Sequence, residues 1–385
     1  MARRQTLIAR SIIYAILNVN EDGSPAQKPS LLTRILRIFY LYWLSFQLVR
    51  QDLFSALRSV WEIKEDDYKS SFDMKQSDRR KAKPDLYPMA TMGYSGSTFF
   101  RTLDSAYLVK SVPRQFEHDF FKNDLIGPYV DHMKVNRSSL LVHITNFLAS
   151  THTSVGVLLG LAPSHHIVME NILHGQDQES QAGPKHKWES WDLKPTSYFF
   201  PERDIAGGAF ATEATMSRLA DEFHDKIRLS RDMATQFQRQ LENDTLLLAK
   251  YNAVDYSLFL VRISAQDTPY SDFQSPPQSG EPGQTGETGE TGTEPTSPAQ
   301  QPFAPADATS WRTGVASSDG KEMYRAAILD FFWAKHTARA KAMTGLIRSY
   351  NLIDDQGPMS ITTDSNEYRE RFLKMCMDIV EVEED

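Results

Sequence analysis

The chain is nearly without cysteine: Cys376 is the only one in 385 residues. No disulfide can form within it and no cysteine-based zinc site is possible, which favours a reducing, intracellular setting. Long apolar runs are missing as well. IFYLYWLSFQLV, between Arg37 and Arg50, falls short of the ~20 residues that a spanning helix needs, so a buried or membrane-resting helix is expected there. The basic start MARRQTLIARSIIYAILN is not followed by a small-residue cleavage site. No secretory signal is expected, with a transit segment as the competing reading. The net charge of −8 argues against a generic nucleic-acid binder. Cations are nevertheless unevenly spread: Met1–Arg50 holds seven Lys/Arg against Glu21 and Asp22, whereas none lies between Arg262 and Arg312. Local basic surface therefore survives in an acidic protein. Neither His165 nor His166 has a Cys, Asp or Glu at metal-ligand spacing, so both read as structural or surface residues.

What is present divides the chain into four parts. Residues 1–30 read as a flexible basic tail ending in the turn-rich NEDGSPAQKPS, and 31–264 as the first part of a folded domain. Within it, Leu32, Ile35, Leu36, Phe39 and Trp43 have helical spacing. GSTFFRTLDSAYLVKSV has the pattern of a β-hairpin. Glu117–Val130 reads as a helix, and LLVHITNFLAS and HHIVMENIL as strands, giving a small antiparallel sheet with one helix over about 86–175. Glu213–Asn252 reads as a long amphipathic helix, with Met216, Leu219, Phe223, Ile227, Phe237 and Leu241 on its apolar face, followed by the strand YSLFLVRI. Residues 265–312, rich in Pro, Gly, Ser, Thr and Glu, cannot bury enough apolar surface to offset ordering and read as a disordered insert. Glycine there lacks the strict period of collagen. Residues 313–385 complete the domain with a strand, a loop and a final helix, EYRERFLKMCMDIV.

Four short constellations carry chemistry. GYSGS, Gly93–Ser97, is a glycine-bearing turn able to lay backbone N–H groups against phosphates, with Lys110 about a dozen residues on. Glu117 and Asp119 on the next helix are candidates to hold that lysine. WDLKPTS offers Asp192 and Lys194, which a solvated surface turn would also explain. In AVDYSLFLV, Asp255 lies at a helix-to-strand junction, where a helix cap is the plainer alternative. In AAILDFF, Asp330 follows an apolar strand, a place where a carboxylate is costly unless paired or bound to metal.

Taken in this order, the segments resemble the phosphatidylinositol phosphate kinase family. GYSGS is similar to its GxSGS loop, LVKSV to the strand of the ATP lysine and HIVMENIL to its hinge. WDLKPTS is similar to DLKGS, VDYSLFLV to MDYSLL and ILDFF to the IID motif. LFSALRSVWEIKEDDYKSSF resembles the helix opening the domain and ITTDSNEYRERFLKMC its closing segment. The resemblance runs from about residue 48 to 380. It implies an α+β fold: a two-lobed kinase-like (SAICAR synthase-like) domain with antiparallel sheets and flanking helices. It implies a lipid kinase that transfers the ATP γ-phosphate to a hydroxyl of a phosphatidylinositol phosphate. Gly93, Ser95, Gly96 and Ser97 would cover the triphosphate and Lys110 would contact it. Met169, Glu170, Asn171 and Ile172 would lie along the adenine. Asp330 would hold Mg²⁺, Asp255 would act as base or second metal ligand, and Asp192 and Lys194 would sit near the phosphoryl group in flight.

This chain departs from the pattern at Pro195 and Thr196, where the family has glycine and serine. The basic run after DLKGS and the paired lysines after IID are absent. Cations appear instead at Lys335, Arg339, Lys341 and Arg348, in an acid-free stretch from Trp333 to Tyr350 that would suit an anionic leaflet. The expected partners are ATP and a phosphoinositide-containing membrane surface, with no nucleic acid and with room for a homodimer. The expected place is cytoplasmic and peripheral to membranes. The altered DLKPT motif supports a competing reading, a non-catalytic scaffold or lipid-binding module. The shared SAICAR synthetase fold supports another, a soluble enzyme of nucleotide metabolism.

Overall fold

A computed structural model describes residues 3–20, 42, 44–73, 86–89, 97–152, 154–177, 179, 186–195, 223–265, 310–334 and 363–383. Two antiparallel sheets with flanking helices form two lobes, the mixed α+β arrangement that the resemblance implies.

The first lobe opens with helix α1 (Arg3–Leu17), strand β1 (Phe46–Leu48) and helices α2 (Gln51–Val60) and α3 (Glu65–Ser70). Strands β2 (Leu86–Pro88), β3 (Phe99–Thr102) and β4 (Tyr107–Ser111) follow. Then come α4 (Gln115–Phe120), a π turn over Phe121–Leu125 and α5 (Ile126–Val135), which continue one another. Pro128 has no N–H for the preceding turn and its ring crowds the carbonyl there, and the π turn opens the backbone just before it. Strand β5 (Ile144–Ser150), a short α6 (Val155–Leu158) and strand β6 (His165–Glu170) end the lobe. Its sheet runs β1-β5-β6-β4-β3-β2. The hairpin, the helix after it and both later strands lie where the residue pattern puts them.

The second lobe holds β7 (His186–Leu193), β8 (Ile227–Leu229), α7 (Arg231–Lys250), β9 (Ala253–Val254) and β10 (Ser257–Ala265). β11 (Val315–Ala316), β12 (Glu322–Leu329), β13 (Trp333–Ala334), α8 (Ser365–Asp378) and β14 (Val380–Val382) follow. The main sheet runs β11-β12-β10-β7, beside a β13-β9 ribbon and a parallel β14-β8 pair. α7 starts at Ser230, whose Oγ accepts the Met233 N–H at 3.4 Å, and buries Ala234, Phe237, Leu241 and Leu248 at helical spacing.

Four expectations are corrected. Arg3–Leu17 is a helix, not a tail: Ile8, Ala9, Ile12 and Ile16 are buried. It touches both edge strands, β1 and β2, so it runs across the sheet; fifteen residues reach about 22 Å, close to the ~24 Å width of six strands. The apolar run before Arg50 ends in strand β1, with Phe46 and Leu48 buried and Gln47 exposed, instead of continuing as helix. Ile227 belongs to strand β8 and α7 begins only at Arg231; the earlier part of that expected helix lies outside the described residues. At the far end of the expected insert, Trp311 and Arg312 are buried; residues 266–309 lie outside the described ones. Among the described residues no helix is long and apolar enough to cross a membrane.

Removing three carbons from the buried face of α1 tests its packing. Ile12→Ala should destabilise the protein by about 2–4 kcal/mol in urea unfolding, whereas a free tail predicts an unchanged midpoint.

Candidate active site

The end of the second-lobe sheet nearest the hairpin is assembled by strand register. Ser257 pairs with Leu329 and Phe259 with Asp192 across β10. Asp255 just before β10, Asp330 just after β12, and Asp192 and Lys194 at the close of β7 therefore share one end of the sheet. The β13-β9 pairing of Trp333 with Val254 ties the turn after Asp330 to the residue before Asp255. Asp255 and Asp330 both adopt left-handed backbone, at φ 66° and 62°. Aspartate tolerates this region better than most residues, and the flanking strands hold it in place.

Lys110 reaches this end from the first lobe. It sits on β4 opposite Phe99 and Ile167, is buried, and forms an ion pair with Asp330. Neither Glu117 nor Asp119 is its ion-pair partner, although Lys110, with Arg114, acts on the Glu117 carboxyl against the burial that raises it. Glu117 Oε1 accepts from Arg114 Nη1 at 3.0 Å, and Asp119 faces His118 Nδ1 at 3.2 Å. Lys194 Nζ lies 3.1 Å from Asp255 Oδ2, so the DLK lysine serves the carboxylate just before the neighbouring strand β10 and is not a solvated turn residue. After Asp330, Phe331 stacks on Tyr129 and Phe332 meets Phe121 edge-on, which seats the loop against α4–α5.

The two central carboxyls are pushed in opposite directions. Burial raises Asp192, with Asp330 adding to the rise, although Lys194, Ser257 and Lys110 pull the other way. Burial also works to raise Asp330, but Lys110, Lys194 and Arg114 outweigh it and hold its carboxyl below the usual range. An ionised Asp330 beside Asp192 and Asp255 suits Mg²⁺, which takes one or two protein carboxylates and completes its shell with substrate phosphates and water. Among the described residues no group of three or more metal-type ligands exists, and that ion does not require one.

Of the other expected site residues, Ser97 is buried just before β3, Met169 and Ile172 are buried, and Asn171 Nδ2 donates to the Ser105 carbonyl at 2.7 Å. Glu170 turns inward to Arg312. Gly93, Ser95, Gly96, Lys335, Arg339, Lys341 and Arg348 lie outside the described residues. His166 is fully buried edge-on to Phe46 and His165 stacks on His118, which makes both structural.

The model of the family described as Phosphatidylinositol-4-phosphate 5-Kinase matches residues 80–379. The chain belongs to this family. Comparison with curated proteins gave no match. Membership in the phosphatidylinositol phosphate kinases carries a general phosphoinositide-kinase role and implies the use of ATP. Sequence reasoning on this kinase missed Arg312, Arg325 and Asp244. One signal for Arg312 was available: Glu170 ends an apolar strand, and a buried carboxylate needs a cation.

The raised Asp192 carboxyl gives a sign for pH. The folded protein binds that proton more tightly than the unfolded chain, so stability is lost progressively as pH rises from the ordinary carboxylate value to the raised folded one, and the cost is then complete. Asp192→Asn should therefore raise the thermal midpoint by about 2 °C at pH 7, with the gain disappearing as pH falls to the ordinary 3.8. A lower midpoint at pH 7 would show that Lys194 and Lys110 depend on its charge.

Proposed function

We propose that the chain is an ATP- and Mg²⁺-dependent lipid kinase that phosphorylates a hydroxyl of a phosphatidylinositol phosphate at a membrane surface. The observation that carries this reading is the convergence of Lys110, Asp192, Lys194, Asp255 and Asp330 at one sheet end between two lobes. Phosphoryl transfer asks chiefly for positioning and charge neutralisation, and these residues offer both.

In this reading Lys110 engages the α- and β-phosphates as a point charge, while Met169–Ile172 lies along the adenine and Gly93–Ser97 covers the triphosphate. Asp330, with Asp255, would hold Mg²⁺, which when bound neutralises charge on the phosphate oxygens. Asp192 is the better proton acceptor of the remaining carboxylates, because burial raises it while Lys194 engages Asp255. Paired carboxyls driven apart in pKa mark a division between base and permanent anion. The lipid hydroxyl oxygen forms the new P–O bond, its proton passes to Asp192, and the bond from the γ-phosphorus to ADP breaks. Lys194 keeps Asp255 in place beside the transfer. The acid-free cationic segment with Lys335, Arg339, Lys341 and Arg348 supplies the leaflet contact, which makes the protein cytoplasmic and peripheral.

Radiolabelled ATP on mixed phosphoinositide liposomes tests the whole. Asp330→Asn should lower turnover at least 100-fold, about 2.7 kcal/mol, with circular dichroism unchanged; more than a tenth of wild-type rate at saturating Mg²⁺ would refute the metal role.

Reversing Lys335, Arg339 and Lys341 to Glu should cut liposome activity at least tenfold, since each cation near an anionic leaflet is worth ~1 kcal/mol. ATP binding should persist. Equal activity of variant and wild type would move the membrane contact elsewhere.

A further inference from the structure

Two arginines converge on the segment 169–174 from the second lobe. Arg312, 4% exposed, is ion-paired with Glu170 and donates to the carbonyls of Ser139 at 2.5 Å and Leu141 at 2.6 Å. Arg325, on β12 five residues before Asp330, donates to the carbonyls of Ile172 at 3.1 Å and His174 at 2.8 Å. It also donates to Thr313 at 3.1 Å and lies over the Trp188 ring at 5.0 Å.

Neutralising Glu170 would need one cation and one bond. The two guanidinium forks do more, reaching the Glu170 carboxylate near the start of the segment, the Ile172 and His174 carbonyls at its end, and the carbonyls of the 139–141 stretch beside it. A planar fork directs several N–H groups at once, which an ammonium cannot do. β12 carries Arg325, pairs Ala326 N–H with the Trp311 carbonyl at 2.8 Å, and ends at Leu329, just before Asp330. The segment's path is thereby set against the strand that presents Asp330.

We propose that Arg312 and Arg325 are positioning residues that hold the 169–174 segment at a fixed distance from β12 and so set the affinity for ATP. The proposal rests on the kinase reading, in which that segment lies along the adenine. Binding of a nucleotide by fixed backbone groups loses strength steeply with small displacements.

Calorimetric titration of the full chain with Mg²⁺–ATP, liposome kinetics and thermal unfolding together test it. Arg312→Lys and Arg325→Lys keep the charge and lose the fork. Each should raise the dissociation constant and KM for ATP about tenfold, ~1.4 kcal/mol. kcat at saturating ATP and KM for phosphoinositide should change less than threefold. A lower melting temperature with wild-type ATP affinity would leave the arginines merely structural and overturn the proposal. So would a fall in kcat with KM for ATP unchanged. Should the lysine variants fail to fold, the double variant Arg312→Met with Glu170→Met removes both buried charges. It should regain stability while still binding ATP weakly, and wild-type ATP affinity in it would overturn the proposal. Absence of ATP binding by the unmutated chain would overturn the kinase reading and this inference together, whereas binding indifferent to both arginines would overturn the inference alone.

Discussion

Between α5 and β5 the backbone of residues 139–144 is bonded to both lobes at once. Leu140 C=O accepts the Ile328 N–H at 2.6 Å, and Val142 N–H donates to the Ile328 carbonyl at 3.1 Å. Asp244 of α7 accepts from Ser139 Oγ at 2.7 Å, from Leu140 N–H at 2.6 Å and faces His132 Nε2 at 2.6 Å. Tyr129 Oη donates to the Val142 carbonyl at 2.8 Å and accepts the Ile144 N–H at 2.9 Å. Lys110 meets Asp330 because this one stretch sets β12 against the first-lobe sheet two residues before Asp330. Buried backbone groups that are fully paired resist displacement, since breaking any of them leaves an unsatisfied partner away from water.

The site itself gathers unfavourable features that only such a frame could hold. Two aspartates occupy left-handed backbone, and the Asp330 carboxylate, reaching across the sheet end, adds to the rise that burial gives Asp192. Lys110 and Lys194 offset that repulsion, one for Asp330 and one for Asp255. Strained backbone and opposed carboxyls at a shared sheet end are common where chemistry is done.

Much of this was legible in the residues. The aromatic and β-branched runs of FFRT and YLVKS around their turn, the apolar run LFLV and the closing EYRERFLKMCMDIV state local preferences that tertiary packing agrees with, and each element formed as expected. Lys110 and Asp330 were singled out by their places at strand ends and Asp255 by its helix-to-strand junction, while Asp192 came forward only through the family resemblance. Elements set by distant partners were not legible. α1 reads as a basic tail because its buried face has meaning only against a sheet made from residues far along the chain. HKWESWDL has no apolar alternation, and becomes strand β7 through its register with β10. The partner of Lys110 was misjudged for the same reason: Glu117 is near in sequence, while Asp330 arrives from 220 residues away.

The pairing of Glu170 with Arg312 spans 142 residues, and synthesis proceeds in one direction. Strands β3 to β6 can pair as soon as they leave the ribosome, because their contacts are local. Glu170 then ends β6 as a carboxylate whose cation does not yet exist, and an ionised group without a partner stays in water. The Glu170 end of the first lobe therefore lacks its native cation until residue 312 has been made. Closing so long a loop adds little in free energy, since the entropy grows only logarithmically, but it adds delay. During that interval the nascent first lobe exposes the surface that the second will cover, and the Glu170 ion pair waits on translation as far as Arg312.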